Sequence, residues 1–130
     1  MTKEPNAEDV VGSYVFEKQT IDPKLKLVRK SKITLLANGT YVAENFPTFT
    51  ADSAGNYKFA GQVSFAGKWR IQAGGFVDSG SGNTAFFGLL LEGAPESLAN
   101  PTIKGDEIPD GLIFGFGDPD SGEAIVFSKR

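Results

Sequence analysis

Glycine and proline recur along the whole chain, and their spacing limits the length of the helices and strands that it can form. Sixteen glycines and seven prolines divide its 130 residues into short segments rich in Val, Ile, Phe, Tyr and Thr. These residue types favour strands, and the Gly and Pro between them favour turns. No segment repeats apolar residues at a period of about 3.6 over the length of a helix. The sequence therefore predicts an all-β protein.

Eight segments have the length and composition of β-strands, and brief connections join most of them. By residue number, they span 10–17, 25–37, 40–46, 57–65, 67–73, 84–92, 111–117 and 123–129. Such a series of short strands is typical of a barrel or of a two-sheet sandwich. We favour a single antiparallel up-and-down barrel over residues 10–130, preceded by a polar N-terminal tail over residues 1–9. The longest connection, residues 93–110, is the natural lid or rim.

The clearest single turn is Asn38-Gly39, in the stretch "LLANGTYV". Asn-Gly between two strand-like runs is the strongest short signal of a hairpin. Both residues tolerate the positive φ that a type I′ turn requires. The sequence therefore predicts a type I′ hairpin that joins the strands over 25–37 and 40–46.

Alternate residues of each strand point into an up-and-down barrel, so the sequence also predicts an inner face. Its members are Ile33, Leu35, Tyr41, Ala43, Trp69, Ile71, Leu112, Phe114, Phe116, Ile125 and Phe127. The interior of an eight-stranded barrel is either filled by side chains or wide enough for one small ligand.

The chain contains no His and no Cys, which restricts the chemistry open to it. The commonest general base, the commonest transition-metal ligand and the thiolate nucleophile are all missing. We therefore expect a protein that is not an enzyme and that carries no cofactor. Any bound metal would be a hard cation held by oxygen ligands.

The charge of the chain argues against nucleic acid as a partner. The net charge is −3 and the isoelectric point is near 4.9. Five cations do gather in residues 24–32, but no aromatic side chain is interleaved to stack on bases, as is typical of a solvent-facing strand. The longest apolar run, residues 85–91, has seven residues. A membrane-spanning helix needs about 20 residues, so we expect no membrane span.

The start of the chain, "MTKEPNAEDV", is polar and contains a proline. It leaves two compartments open. The protein is periplasmic or belongs to the cell envelope if an export signal has been removed, and is otherwise cytoplasmic.

Three carboxylates near the C-terminus, Asp118, Asp120 and Glu123, suggest a calcium site. The stretch "DPDSGE" has the D-x-D-x-G spacing of the first half of calcium loops. The same residues also suit a hairpin turn, because Pro fixes φ and Asp and Ser accept hydrogen bonds from nearby backbone N–H groups. The turn is the favoured interpretation.

Four stretches together resemble the small lipocalin-like (calycin-type) β-barrel proteins, many of them bacterial envelope proteins. The stretches are "VVGSYVF", "ITLLANGTYV", "GKWRI" and "GDPDSGEAIVFSK". The resemblance implies a barrel, often without enzyme activity, that can enclose a hydrophobic cavity. The Gly-x-Trp of the lipocalin pattern is here Gly12-Ser13-Tyr14, with the Trp at Trp69 instead, and the terminal Arg that packs across such a ring would be Arg130.

One set of large side chains is the candidate ligand pocket. Its members are Tyr14, Phe16, Leu35, Tyr41, Trp69, Phe86, Phe114, Phe116 and Phe127. They either line a cavity or fill the barrel as a core. We expect a binding protein that holds a small hydrophobic ligand in its interior. The alternative is a cell-envelope interaction or inhibitor module, with a filled core, functional loops and a protein partner.

Overall fold

The structure is a computed structural model that describes residues 4–21, 29–51, 53–54, 57–78, 83–105, 108–115 and 124–130, with backbone alone over 74–78 and 83–85. Its elements are α1 (Ala7–Val10), β1 (Gly12–Gln19), β2 (Lys32–Leu35), β3 (Thr40–Ala51), β4 (Tyr57–Asp78), β5 (Asn83–Leu91), a 3₁₀ turn (Glu96–Leu98), β6 (Thr102–Lys104), β7 (Gly111–Gly115) and β8 (Ala124–Lys129).

The eight strands form one closed antiparallel barrel in sequence order, as predicted. Each strand pairs with the next along the chain, and β8 pairs with β1 to close the barrel. Successive strands therefore run in opposite directions around the whole barrel. The only helices within the described residues are α1 and the 3₁₀ turn, and neither has the length and apolar composition of a membrane span.

Two of the predicted strands are one continuous strand. β4 covers both 57–65 and 67–73, and its first half pairs with β3 while its second half pairs with β5. Gly67 lies at the point where we predicted a break. A Cβ at this position would overlap the carbonyl oxygen of Glu92. The strand can continue there because Gly has no Cβ.

The connection 93–110 is not a free lid. It contains the 3₁₀ turn and the short strand β6, which pairs with β7 through Ile103 and its neighbours. Leu98 is 1% exposed and Ile103 is fully buried. The predicted number of eight strands is therefore correct, although the strands themselves differ. Two predicted strands form the single strand β4, and β6 was not predicted.

The Asn38-Gly39 hairpin is present, but its turn is not type I′. The N–H of Leu36 donates to the oxygen of Thr40 over 2.9 Å, and the N–H of Gly39 donates to the oxygen of Leu36 over 3.1 Å. Gly39 has φ 86°, whereas Asn38 lacks the positive φ that a type I′ turn needs there. This pattern is a three-residue loop, a type I turn closed by a left-handed Gly. The Asn38 side chain instead accepts hydrogen bonds from Thr40.

The predicted inner face is the core of the barrel. The members found buried are Ile33, Leu35, Tyr41, Ala43, Trp69, Leu112, Phe114, Ile125 and Phe127. Ile71 is half-buried and packs against this core, and Phe116 lies outside the described residues.

The up-and-down order gives the barrel two different ends. We call the end that carries α1, the β2–β3 turn and the C-terminus of β8 the helix end. The opposite end, reached by the β1–β2 and β3–β4 connections, we call the mouth.

Candidate functional site

The helix end is closed by α1 and by the residues that bond to it. Val10 is fully buried and belongs to the core. The hydroxyl of Tyr14 donates a hydrogen bond to the carbonyl oxygen of Val10 over 2.5 Å. Lys129 donates from Nζ to the carbonyl oxygen of Asp9, and the same Nζ lies 6.0 Å from the centroid of the Tyr14 ring. These contacts fix α1 across the end of the barrel.

The polar atoms of the large rings at the helix end have partners. The Tyr41 hydroxyl donates to the oxygen of Glu92 over 2.8 Å, and Trp69 Nε1 donates to the oxygen of Leu36 over 2.9 Å. Among the described residues, no buried side-chain nitrogen or oxygen lacks a hydrogen-bond partner. The Tyr41 hydroxyl and the Trp69 indole N–H are therefore hydrogen-bonded within the protein and stabilise its fold.

Burial also changes the ionisation of both tyrosines. Burial, with a smaller contribution from the charge of Asp110, raises the pKa of Tyr14 well above its usual range. Burial raises the pKa of Tyr41 as well. A phenol that keeps its proton to high pH is a donor and not a base, so neither group is suited to proton abstraction at neutral pH.

The middle of the barrel is filled by aromatic rings around Phe46. Its ring stacks on that of Phe127 at 4.6 Å, and it meets Phe114 edge to face at 5.2 Å and Phe65 at 5.4 Å. Phe46 belongs to β3, whereas Phe114 belongs to β7 on the opposite wall. Since rings from opposite walls touch, side chains fill the interior at this level.

Phe46 reaches the interior because of a β-bulge, which the sequence pattern did not reveal. Inward residues alternate at Tyr41 and Ala43, which predicts position 45 as the next. The register shifts between Ala43 and Phe46, and Asn45 takes the left-handed conformation with φ 56°. Asn is one of the few non-glycine residues that tolerate this conformation. The bulge therefore turns Phe46 inward.

Apolar side chains at the mouth are only partly covered. Phe16, Phe49 and Tyr57 are half-buried and pack against the core. The sequence analysis selected Phe16 alone among them. The available signal for the others was the aromatic content of two neighbouring strands, but it does not show which end of the barrel they occupy.

Val63 gives the clearest evidence that the mouth is open. It pairs with Phe46 across β3 and β4, and cross-strand partners share a face. It also lies two residues from the inward Phe65, which places it on the same face of β4. Even so, Val63 is 39% exposed, whereas Phe46 is fully buried. The inner face of β4 therefore meets solvent at the level of Phe46.

A polar clamp, formed by Ser31, Asn45 and Gln62, joins the β1–β2 connection to the mouth. The Ser31 hydroxyl and Gln62 Nε2 both donate to the oxygen of Asn45, over 2.5 Å and 2.7 Å. Gln62 also accepts from the N–H of Arg29 over 3.1 Å and donates to the Arg29 oxygen over 2.8 Å. The side-chain amide of Gln62 thus bonds to both the N–H and the carbonyl of Arg29, as the backbone of a paired β-strand would.

The predicted pocket residues are divided between these regions. Tyr14, Leu35, Tyr41 and Trp69 belong to the closed half of the core, while Phe114 and Phe127 pack with Phe46 in the middle and Phe16 meets Phe127 edge to face. Phe86 is half-buried on β5, three residues from the buried Leu89 and so on the opposite face. Phe116 lies outside the described residues.

The calcium hypothesis concerns Asp118, Asp120 and Glu123, which also lie outside the described residues. Within the parts of the chain that are described, no three carboxylates are close enough together to hold a metal ion.

The cation beside the first-strand ring is Lys129 and not Arg130. Arg130 is exposed, and its backbone N–H donates to the oxygen of Ser13 over 2.8 Å. The side chain near Tyr14 therefore comes from the residue before the one that the resemblance implied.

The chain was compared with models of protein families, with curated proteins and with solved structures, and none of the three comparisons gave a match.

Proposed function

We propose that the mouth of the barrel binds one small apolar ligand, with Phe46 and its ring partners as the floor of the site. The observation that carries this proposal is the exposure of Val63 on the inner face, where its cross-strand partner Phe46 is fully buried. Around it, Phe16, Phe49 and Tyr57 present partly covered apolar surface. Apolar surface of this kind, in a concave position, is what small-molecule sites are made of.

The filled layer limits the depth and the size of such a ligand. Because the Phe46 and Phe127 rings are stacked, a ligand rests on them and does not pass between them. Each 100 Å² or so of apolar surface that it covers contributes about 2.5 kcal/mol to binding before the costs of association. The role is binding and not catalysis, in keeping with a chain that has no His and no Cys.

Two features support a lipocalin-like (calycin-type) assignment as part of the same proposal. The barrel has eight strands in simple up-and-down order, with a short helix before the first strand. A cation from the last strand, Lys129, lies beside the aromatic ring of the first strand, Tyr14. Eight-stranded barrels of this architecture can hold one small ligand, which is the role that the proposal assigns to the mouth.

A pair of matched substitutions tests the proposed site. Val63→Trp places a large ring on the inner face at the mouth, while Val42→Trp places the same ring outside the barrel. Val42 is a suitable control because it is 43% exposed and alternates with the buried Tyr41 and Ala43. With phenylnaphthylamine as a neutral fluorescent probe, we expect Val63→Trp to weaken binding at least about tenfold, a loss of about 1.4 kcal/mol.

Val42→Trp should bind the probe as the unsubstituted protein does. Equal affinity in all three proteins would place the probe elsewhere and contradict the proposed site. Circular dichroism of each variant checks that the barrel has formed before affinities are compared.

The filled middle layer favours a second candidate, an interaction module that works through its loops. Rings of β3, β7 and β8 already occupy the space that an interior ligand would need at that level. Native mass spectrometry of freshly purified protein separates the two candidates. An additional mass that is lost on denaturation supports the ligand site, whereas a bare chain that also fails to bind the probe supports the interaction module.

A further inference from the structure

We propose that Asn38 is a site of spontaneous chemical modification, at which the backbone nitrogen of Gly39 attacks the side-chain amide and Thr40 promotes that attack. The other reactants are water and hydroxide. The site lies in the β2–β3 turn at the helix end, so this inference does not depend on the ligand site at the mouth.

The reaction is the loss of ammonia from an Asn that precedes Gly. Hydroxide removes the proton from the Gly39 N–H, and the nitrogen bonds to Cγ of Asn38. The amide group takes a proton from water, which restores the hydroxide, and leaves as ammonia. Water then opens the resulting cyclic imide. Opening at Cγ gives an ordinary aspartate, and opening at the backbone carbonyl gives an isoaspartate, in which the main chain continues through the side chain.

The first argument is that the reacting atoms are accessible. Asn38 is exposed, and it is the one asparagine in the chain that glycine follows. Gly39 has no Cβ, and the place that a Cβ would occupy has no described neighbour within 4 Å. The nitrogen of Gly39 can therefore approach Asn38 Cγ, and water can reach both, without displacing another part of the described chain.

The second argument is that Thr40 holds the side chain of Asn38 in a reactive position. Thr40 donates to Asn38 Oδ1 from its backbone N–H over 3.0 Å and from its hydroxyl over 2.6 Å. A side-chain oxygen that bonds to the N–H two residues ahead closes a ring of atoms that mimics a backbone turn. This ring brings Cγ of Asn38 beside the intervening backbone nitrogen, which is that of Gly39.

The same two hydrogen bonds favour the charge that the reaction creates. Negative charge develops on Asn38 Oδ1 as the nitrogen attacks, and hydrogen bonds to a charged oxygen are stronger than those between neutral groups. Donors that are already in place stabilise such an oxygen without further rearrangement. Thr40 therefore lowers the barrier to formation of the imide.

The attacking nitrogen is itself hydrogen-bonded. The N–H of Gly39 donates to the oxygen of Leu36 over 3.1 Å. Its proton has to be removed before the nitrogen can attack, and the chain contains no His that could accept it. Since hydroxide is then the base, the rate of the reaction should increase with pH.

The two products should affect the core differently because the turn anchors Trp69. Trp69 donates from its backbone N–H to the oxygen of Gly39 and from Nε1 to the oxygen of Leu36, each over 2.9 Å. An aspartate keeps an oxygen for both Thr40 donors and should be tolerated. An isoaspartate lengthens the backbone between Leu36 and Gly39, which displaces the two acceptors of Trp69 relative to each other and should destabilise the core.

The experiment follows the reaction in the full chain at neutral and mildly alkaline pH. Peptide mapping by mass spectrometry measures the loss of the amide, and enzymatic methylation measures isoaspartate. We expect both products at position 38, formed faster at the higher pH. Thr40→Val removes the hydroxyl donor and retains the backbone N–H, so it should slow the reaction about three- to tenfold, as for the loss of one hydrogen bond.

Two controls isolate the role of the folded turn. Thr50→Val makes the same change at an exposed position near the other end of β3 and should leave the rate unchanged. In concentrated urea, the unsubstituted chain and Thr40→Val should react at equal rates, because the turn that holds Asn38 is then lost.

The stability of the products tests the link to the core. Trp69 is the only Trp of the chain, so its fluorescence reports on its contacts with this turn. The isoaspartate form, separated by chromatography, should unfold at a lower urea concentration and emit at longer wavelength. Asn38→Asp should resemble the unsubstituted protein in both measurements.

Each contrary result has a distinct meaning. If the folded protein keeps its Asn38 amide while the unfolded chain loses it, the turn protects the residue and the proposed site is wrong. Equal rates for the folded unsubstituted protein and Thr40→Val, or a difference that remains in urea, would contradict the role of Thr40. An isoaspartate form as stable as Asn38→Asp would contradict the link to Trp69.

Discussion

The helix end and the mouth use the same kinds of side chain in different ways. At the helix end, aromatic rings are buried and their polar atoms bond to backbone carbonyls, as the Tyr14 hydroxyl does to Val10. At the mouth, Phe49 and Tyr57 are half-buried and Val63 is 39% exposed. Within the described residues, α1 closes one end of the barrel, whereas at the other an inner-face side chain remains partly exposed.

The cationic side chains at the two ends also differ in how far they are used within the protein. Lys129 at the helix end is directed to a backbone carbonyl, so its charge serves the fold. Arg29 and Lys30 at the mouth are fixed through their backbone, which leaves their charged groups exposed. The closed end therefore uses the charge of a cation, whereas the clamp uses only the backbone of Arg29 and Lys30.

The largest expected effect lies at the boundary between the two regions. Phe46→Ala removes the ring that contacts both walls of the barrel, so the free energy of unfolding should fall by about 3–5 kcal/mol. Phe49→Ala, at a half-buried position of the mouth, should cost about 1–2 kcal/mol because less surface is lost. Urea unfolding of both variants measures the difference. Similar losses would mean that the mouth is as well packed as the middle.

A smaller expected effect is the difference in stability lost when a buried hydrogen bond and a partly buried one are removed. Tyr14→Phe leaves the Val10 carbonyl without its partner in a fully buried place, at a cost of about 1–3 kcal/mol. Tyr41→Phe breaks a bond to the oxygen of Glu92 that is only partly buried, so a smaller loss of about 0.5–1.5 kcal/mol is expected. Thermal and urea unfolding provide the measurement. A greater loss for Tyr41→Phe would contradict the view that α1 seals its end.

The smallest effect is a dependence of stability on alkaline pH. Unfolded tyrosine ionises near a pKa of about 10. The pKa of Tyr14 is raised in the folded protein, so its contribution to stability is complete below about pH 10 and decreases as the pH rises further. Urea unfolding at several pH values should show this decrease, with a shallower slope in Tyr14→Phe. Asp110→Asn should reduce the slope slightly, and identical slopes in all three proteins would contradict the assignment.

Much of the fold could be predicted because it depends on local pattern. Gly, Pro and β-favouring residues set the positions of most strands, and period-two alternation identified Leu35, Tyr41, Phe114 and Phe127 as inward. The strand β6 was missed because three residues are too few for alternation to show. The fusion of two strands into β4 was missed because Gly67 reads as a break when its neighbour Glu92 is not known.

The mouth was harder to predict than the core. The clamp depends on partners that are distant in sequence, since Gln62 meets Arg29 across 33 residues and Asn45 meets Lys30 across 15. No local pattern indicates that an amide will bond to a backbone so far away. The inward position of Phe46 likewise depends on the bulge at Asn45, which shifts the alternation by one residue.

The sequence by itself determined an all-β chain with a defined inner face, because side-chain alternation and turn preference act between near neighbours. The tertiary structure alone decided which end is closed and which rings meet in the middle. Phe46, Phe114 and Phe127 are far apart along the chain and touch only once the barrel closes and its register is set. The pairing of strands around the barrel depends on the burial of all eight strands together, so no single segment of the sequence indicates it.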